Sequence, residues 1–95
     1  MYKLIQAKSF TRKLKKLIEK RRLTIDLLKS KFQVLAIDPF HKSLRTHKVN
    51  TRKLGYQYSS SIEGDLRIIW NFDSDKNLVI LLLDIGGHSG SSGIY

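Results

Sequence analysis

The sequence lacks several features that would assign it to a specialised class. It contains no cysteine, which excludes a disulfide framework and thiolate metal ligands and suits the reducing cytoplasm. Its longest apolar run, residues 78–83, is far shorter than the roughly 20 residues that cross a bilayer. The first ten residues contain no apolar stretch typical of a secretory signal. These absences predict a cytoplasmic protein with one domain over residues 1–95 and no membrane segment.

Positive charge is concentrated in the first half of the chain. Residues 1–53 carry 16 Lys and Arg against 3 Asp and Glu, whereas residues 54–95 carry 2 against 5. The net charges are therefore +13 and −3, which together give the +10 of the whole chain. Such an excess repels itself, so the basic half predicts a polyanionic partner, either nucleic acid or an acidic protein. A solvated charged surface without a partner is the simpler alternative.

The first half reads as a short strand followed by two helices. Residues 2–6 (YKLIQ) predict the strand. Ser9 is the predicted N-cap of the first helix and Thr24 that of the second, which ends at Asp38-Pro39. Apolar residues recur at helical spacing in both helices: Phe10, Leu14, Leu17 and Ile18, then Ile25, Leu28, Phe32 and Leu35. The two segments predict an antiparallel helical hairpin.

The second half reads as a sheet. Residues 40–54 are basic and irregular, with Leu44 and Val49 as predicted anchors, and three strand-like segments follow: YQYSSSI, DLRIIWNF and LVILLLDI. Short polar connections between them predict an antiparallel meander in which LVILLLDI is the most buried and central strand. The expected fold class is α+β. An N-terminal strand and a helical hairpin would pack on one face of a small twisted antiparallel β-sheet.

The residues that could carry chemistry are few. The sequence has no metal-ligand spacing, no phosphate-binding glycine loop and no serine nucleophile motif, so no metal or cofactor is expected. What remains is a scattered polar set: His47, Asp65, Arg67, His88 and Tyr95. Because side chains alternate along a strand, Arg67 is predicted to point away from the apolar stripe formed by its neighbours.

This polar set suits metal-free cleavage of RNA, in which the neighbouring 2′-hydroxyl is the nucleophile. Histidine can act as base or acid near neutral pH, arginine can stabilise charge on phosphoryl oxygens, and tyrosine can stack on a base. Each residue also has a structural interpretation: His47 as a basic loop residue, Arg67 as the cross-strand partner of Asp84 or Glu63, and Asp65 as a turn residue. The closing segment GGHSGSSGIY is equally typical of a flexible tail.

The chain resembles the RelE/YafQ-like toxins of bacterial type II toxin–antitoxin systems, which belong to the RelE/ParE superfamily. The resemblance covers nearly the whole chain and rests on SFTRKLKKL, LRTHKVN, LGYQYSSSI, DLRIIWNF and LLLDIGGHSGSSGIY, in that order. It implies a RelE-like fold and a ribosome-dependent mRNA endoribonuclease (an mRNA interferase) that inhibits translation. It also implies a cognate acidic antitoxin that binds and neutralises the toxin in a hetero-oligomer.

Site residues follow from the resemblance position by position. His88 is implied as general acid or base, Arg67 as phosphate stabiliser, His47 as a second proton-transfer or phosphate group, and Tyr95 as the residue that orients a base. Asp65 falls where YafQ-like members have an acidic residue at the start of a strand. Docking on ribosomal RNA is predicted for the basic positions of the first helix and of residues 42–53: Lys13, Lys16, Lys20, Arg45, Lys48, Arg52 and Lys53.

Two positions depart from the family pattern. Ser61 stands where YafQ-like toxins have another histidine, and Asp84 stands where they have an arginine. These departures leave open a ParE-like gyrase inhibitor or a catalytically inactive binding protein with the toxin fold. A plain RNA-binding module is a third possibility, but the strand aromatics Tyr56, Tyr58 and Trp70 lie on two different predicted strands.

Overall fold

The computed structural model describes residues 1–20 and 23–87. In chain order the elements are β1 (Lys3–Gln6), α1 (Lys8–Glu19), α2 (Ile25–Ile37), β2 (His47–Thr51), β3 (Gly55–Glu63), β4 (Leu66–Phe72) and β5 (Val79–Gly86). A short 3₁₀ turn, Lys42–Leu44, precedes β2. No helix within these ranges combines the length and apolar character needed to cross a membrane. The predicted α+β class is confirmed.

The five strands form one mixed sheet in the order β1-β5-β4-β3-β2. The predicted meander is present, since β3, β4 and β5 pair antiparallel. However, β1 pairs with β5 in parallel, so the sheet as a whole is not antiparallel. The strand predicted to be central, β5, is interior, but β4 holds the middle position. The reason is that β1 and β2 extend the meander by one strand on each side.

Strand β2 lies in the segment that the sequence predicts to be irregular. It pairs antiparallel with β3 from His47 opposite Ser59 to Thr51 opposite Gly55. Thr51 closes the hairpin, because its hydroxyl accepts the Leu54 N–H at 2.9 Å and donates to the Gly55 carbonyl at 3.0 Å. Gly55 has a φ of +72°, which favours glycine at this position. His47 is therefore held on a paired strand.

One face of the sheet packs against both helices and forms the core. Its buried side chains come from both helices and from β3, β4 and β5: Phe10, Leu14, Leu17, Leu28, Leu35, Ile62, Leu66, Ile68, Trp70, Ile80, Leu82 and Ile85. The partly buried Leu4 of β1 packs against them. The predicted helical stripes are confirmed except at Ile25, which is 53% exposed. Leu23, just before the Thr24 cap, is buried in its place together with Leu28. These are the positions of a hydrophobic staple at a helix start.

The helix ends follow local capping chemistry with one exception. Thr24 caps α2 as predicted, with its side chain accepting the Leu27 N–H at 3.3 Å. The helix ends at Ile37, before Asp38 and Pro39, also as predicted. The predicted Ser9 cap is wrong, since α1 begins at Lys8 after Ala7. The Ala7 N–H still donates to the Leu82 carbonyl of β5 at 2.8 Å, so the chain leaves the sheet one residue before Lys8.

A chain of hydrogen bonds ties the connection after α2 to the sheet. The Trp70 indole Nε1–H donates to Ser60 Oγ at 2.7 Å, and Ser60 Oγ lies 2.6 Å from Thr46 Oγ1. Thr46 Oγ1 donates its only proton to the Pro39 carbonyl at 2.7 Å, so Ser60 is the donor to Thr46. The residue after Thr46 is His47. This chain of bonds therefore fixes where β2 begins.

We expect Ser60→Ala to lower the free energy of unfolding by about 1–3 kcal/mol, because it leaves the buried Trp70 indole N–H without its acceptor. Urea unfolding followed by tryptophan fluorescence measures the loss. The matched control is Ser74→Ala, at an exposed position in the β4–β5 loop, which should change stability by less than about 0.5 kcal/mol. Equal stability of the two variants would contradict this role of Ser60.

Candidate functional site

The sheet face opposite the core carries a patch of polar side chains. Directly paired residues of antiparallel strands point to the same face. The register sets His47 opposite Ser59, and Ser61 opposite Arg67. Asp84 lies on the same face, opposite Ile69. We call this patch the polar face; its residues are His47, Ser59, Ser61, Arg67 and Asp84.

A bulge in β5 brings Asp84 to the polar face. Asn71 lies opposite Leu81 and Trp70 opposite Leu82, yet Ile69 lies opposite Asp84, so Leu83 is an extra residue. Without this extra residue the pairing would set Leu83 opposite Ile69 and would turn Asp84 toward the core. The bulge therefore changes the charge of the polar face.

Arg67 is the cation of the polar face, and its side chain is half-buried. Two of its nitrogens, Nε and Nη1, are buried and have no hydrogen-bond partner among the residues that the structure describes. The predicted cross-strand partners do not supply one, because Glu63 is exposed and Asp84 is paired with Lys13. Register places Gly86 opposite Arg67, so no side chain from β5 fills the space there. Unpaired guanidinium donors in such a site favour an anion with oxygen acceptors.

His47 is exposed, and its ring orientation is fixed by the backbone. Its Nδ1 lies 3.0 Å from the Arg45 carbonyl oxygen. A carbonyl can only accept, so Nδ1 carries the proton and donates it. In the neutral ring Nε2 then has the free lone pair, which is the state that a general base needs.

The structure brings some of the predicted site residues together. His47 and Arg67 share the polar face, two strands and two residues apart, which corresponds to about 12 Å between their Cα atoms. Asp65 is exposed in the β3–β4 turn, two residues before Arg67. His88 and Tyr95 lie outside the described residues, one and eight positions after Gly87.

The predicted RNA-binding positions do not form one surface. Arg45, Arg52 and Lys53 are exposed near the ends of β2, Lys16 is exposed on α1, and Lys20 is exposed at the C-cap of α1. Lys48 points to the face opposite His47, where its ammonium lies 5.9 Å from the centre of the Tyr58 ring. Lys13 differs from the others because its ammonium is bound to Asp84 at 2.8 Å.

Two features of the site are not evident from sequence reasoning. Ser59 and Ser61 lie between His47 and Arg67, but the run of three serines shows no alternation that would assign them to a face. The Lys13–Asp84 pair joins residues 71 positions apart and has no local signal. Within residues 1–20 and 23–87, no group of three or more His, Asp or Glu side chains is arranged to hold a metal ion.

The fold matches those of solved structures of YafQ and of a toxin from Helicobacter pylori. YafQ from E. coli strain BL21(DE3) aligns over 92% of this chain and 93% of its own, with a TM-score of 0.69 and 15% identity. YafQ in the E. coli DinJ–YafQ toxin–antitoxin complex aligns over 92% of both chains, with a TM-score of 0.69 and 16% identity. A metal-bound toxin from Helicobacter pylori covers 93% of this chain and 96% of its own, with a TM-score of 0.74 and 22% identity.

No protein-family model matches the chain, and no curated protein sequence matches it significantly. At 15–22% identity the likeness to the solved structures is a likeness of fold.

We expect Arg67→Met to raise the free energy of unfolding by about 1 kcal/mol, because it replaces buried donors that lack partners with an apolar chain of similar length. Urea unfolding measures the change. The control is Arg12→Met on the exposed side of α1, which should alter stability by less than about 0.5 kcal/mol. Destabilisation by Arg67→Met beyond about 1 kcal/mol would mean that the guanidinium stabilises the fold.

Proposed function

We propose that this chain is the toxin of a type II toxin–antitoxin pair and that it cleaves mRNA on the ribosome without a metal ion. The observation that carries the proposal is the pair of buried, unpartnered donors of Arg67 on the same sheet face as His47. The shared fold supports it, since YafQ has been solved both alone and with DinJ as a toxin–antitoxin complex.

The proposed reaction is attack of an RNA 2′-hydroxyl on the adjacent phosphorus atom. The new P–O2′ bond forms as the P–O5′ bond breaks, which leaves a cyclic phosphate and a free 5′-hydroxyl. One group must take the 2′-hydroxyl proton and another must protonate the leaving 5′-oxygen. His47 and His88 are the two candidates for these roles. The fixed ring of His47, with a free lone pair on Nε2, suits the role of base.

Arg67 would stabilise the charge that develops on the non-bridging oxygens. Its Nε and Nη1 donors are already desolvated, so they need not lose water when the phosphate arrives. Gly86 opposite Arg67 has no side chain that would stand between the guanidinium and a phosphate. Tyr95 would stack on a base, and Asp65, exposed in the turn before β4, would lie at the border of the site.

Binding of the ribosome and mRNA would rest on the basic first half. Exposed cations on α1 and at the ends of β2 would contact RNA phosphates without reading sequence: Lys16, Lys20, Arg45, Arg52 and Lys53. Lys48, which is held near the Tyr58 ring, would contribute from the edge strand.

We expect Arg67→Ala to lower the rate of mRNA cleavage by about 10²–10³-fold, because it removes the donors to the phosphoryl oxygens. His47→Ala and His88→Ala should each cost about 10²–10⁴-fold through loss of proton transfer. The assay is translation of a defined mRNA with purified protein, followed by primer extension. Lys76→Ala, an exposed change in the β4–β5 loop, is the control and should cleave normally.

Two results would reject the nuclease proposal. One is absence of cleavage by the unaltered protein, and the other is undiminished cleavage by the Arg67→Ala/His88→Ala variant. Asp84 on the polar face and Ser61 opposite Arg67 favour the alternative, a gyrase inhibitor or an inactive binding protein with the toxin fold. Intact mRNA together with inhibition of DNA supercoiling by gyrase would support that alternative.

We also propose a cognate acidic antitoxin as the partner. The net charge of +13 over residues 1–53 supports it, because an acidic chain would relieve the repulsion among these cations. Co-expression with the neighbouring gene should yield a hetero-oligomer whose affinity falls as salt rises. The double variant Lys16→Glu/Lys20→Glu should lower the affinity for the antitoxin by about tenfold or more. Harmless expression of the chain alone as a free monomer would contradict both the toxicity and the partner.

A further inference from the structure

Asp84 and Arg67 are diagonal neighbours on the polar face. Arg67 lies opposite Gly86, and Asp84 is two residues before Gly86 on the same strand. The bulge at Leu83 leaves both side chains on one face. Diagonal neighbours in an antiparallel pair are about 7–8 Å apart, which an arginine side chain spans easily. At this spacing an arginine can form a bidentate pair with the carboxylate.

That pair is not formed, because α1 holds the carboxylate. Asp84 Oδ1 accepts a hydrogen bond from Lys13 Nζ at 2.8 Å and another from the Ile85 N–H at 2.9 Å. Within residues 1–20 and 23–87, Arg67 Nε and Nη1 are left without a partner. Among the residues that the structure describes, Lys13–Asp84 is the only ion pair, although the chain has 18 Lys and Arg.

The fold explains why Lys13 reaches Asp84. Strand β1 ends at Gln6, opposite Leu82, so the last part of β5 has α1 beside it instead of a strand. The Ser9 hydroxyl donates to the Leu83 carbonyl at 3.2 Å and fixes this turn of α1 against the bulge. Lys13 follows Ser9 by one helical turn and so faces the next residue of β5, Asp84. The side chain of Asp84 is 16% exposed and that of Lys13 is 42% exposed.

We propose that Lys13 is a positioning residue for the phosphate site. It neutralises Asp84 and holds the carboxylate away from Arg67, which keeps the guanidinium available to an RNA phosphate. The inference rests on the proposed role of Arg67 as phosphate ligand. It assigns to Lys13 a function other than the direct RNA contact that the basic pattern of α1 suggests.

Removal of Lys13 has a consequence that can be measured. With Lys13 absent, Asp84 is free to pair with Arg67, and a phosphate must displace the carboxylate before it can bind. The apparent dissociation constant rises in inverse proportion to the fraction of molecules in which Arg67 remains free. If the internal pair forms in about nine of ten molecules, RNA binding weakens by about tenfold.

The test compares Lys13→Gln with Lys16→Gln, which removes one exposed charge from the same helix without freeing a carboxylate. Each variant is made with and without Asp84→Asn. The probe is a fluorescein-labelled 2′-O-methyl RNA hexamer, which has no 2′-hydroxyl and cannot be cleaved. Fluorescence anisotropy at constant ionic strength gives the dissociation constants.

We expect Lys13→Gln to weaken binding by about tenfold and Lys16→Gln by about threefold or less. Adding Asp84→Asn should restore the affinity of Lys13→Gln to within about twofold of the unaltered protein. The same addition to Lys16→Gln should improve binding by less than about threefold. The Nε–H resonance of Arg67 should shift in Lys13→Gln and should return when Asp84→Asn is added, a change that a purely structural role of Lys13 would not produce.

Two outcomes would overturn the inference. If Lys13→Gln/Asp84→Asn binds as weakly as Lys13→Gln, Lys13 contacts RNA directly. If Lys13→Gln matches Lys16→Gln, Asp84 does not compete for Arg67. Binding of RNA by Arg67→Ala shows whether such a result rejects only the role of Lys13 or also the proposed role of Arg67. Unchanged binding by Arg67→Ala removes Arg67 as a phosphate ligand, whereas weaker binding by Arg67→Ala together with either outcome above rejects only the role of Lys13.

Discussion

Alternation of side chains along the strands of one sheet is the constraint on which the rest of this protein depends. On β4, Ile68 and Trp70 point into the core beneath the helices, while Arg67 points to the polar face. Burial of the apolar set supplies the stability that allows a guanidinium to remain partly desolvated without partners. The same strand therefore contributes to both the core and the candidate site.

The features that the sequence predicts well are those that depend on residues close together in the chain. The spacing of Phe10, Leu14 and Leu17 and the Thr24 cap are determined within one or two helical turns, so both helices are predictable. The place of β1 in the sheet is not predictable, because it depends on pairing with residues 79–82 near the other end of the chain. Strand β2 has too few apolar residues to show alternation. Its strand conformation depends on its pairing with β3.

In the candidate site, too, some features are predictable from the local sequence and others are not. The orientation of Arg67 follows from period-two alternation along a regular strand. That of Asp84 does not, because a single extra residue at Leu83 reverses the faces of the residues beyond it. The ring orientation of His47 depends on the Arg45 carbonyl. The hydrogen bond of Asp84 depends on Lys13 of α1, which is 71 residues earlier in the chain. Contacts of this kind are set by tertiary packing and leave no pattern in the sequence.

The central claim is that the polar face binds RNA phosphate, and NMR titration of the full chain with an uncleavable 2′-O-methyl RNA tests it most directly. We expect the largest chemical-shift changes at the Arg67 Nε–H and at the backbone amides of His47, Ser59 and Ser61, with saturation at a common RNA concentration. Changes confined to α1 and to the opposite face of the sheet, where Lys48 lies near the Tyr58 ring, with the Arg67 Nε–H unmoved, would contradict the claim.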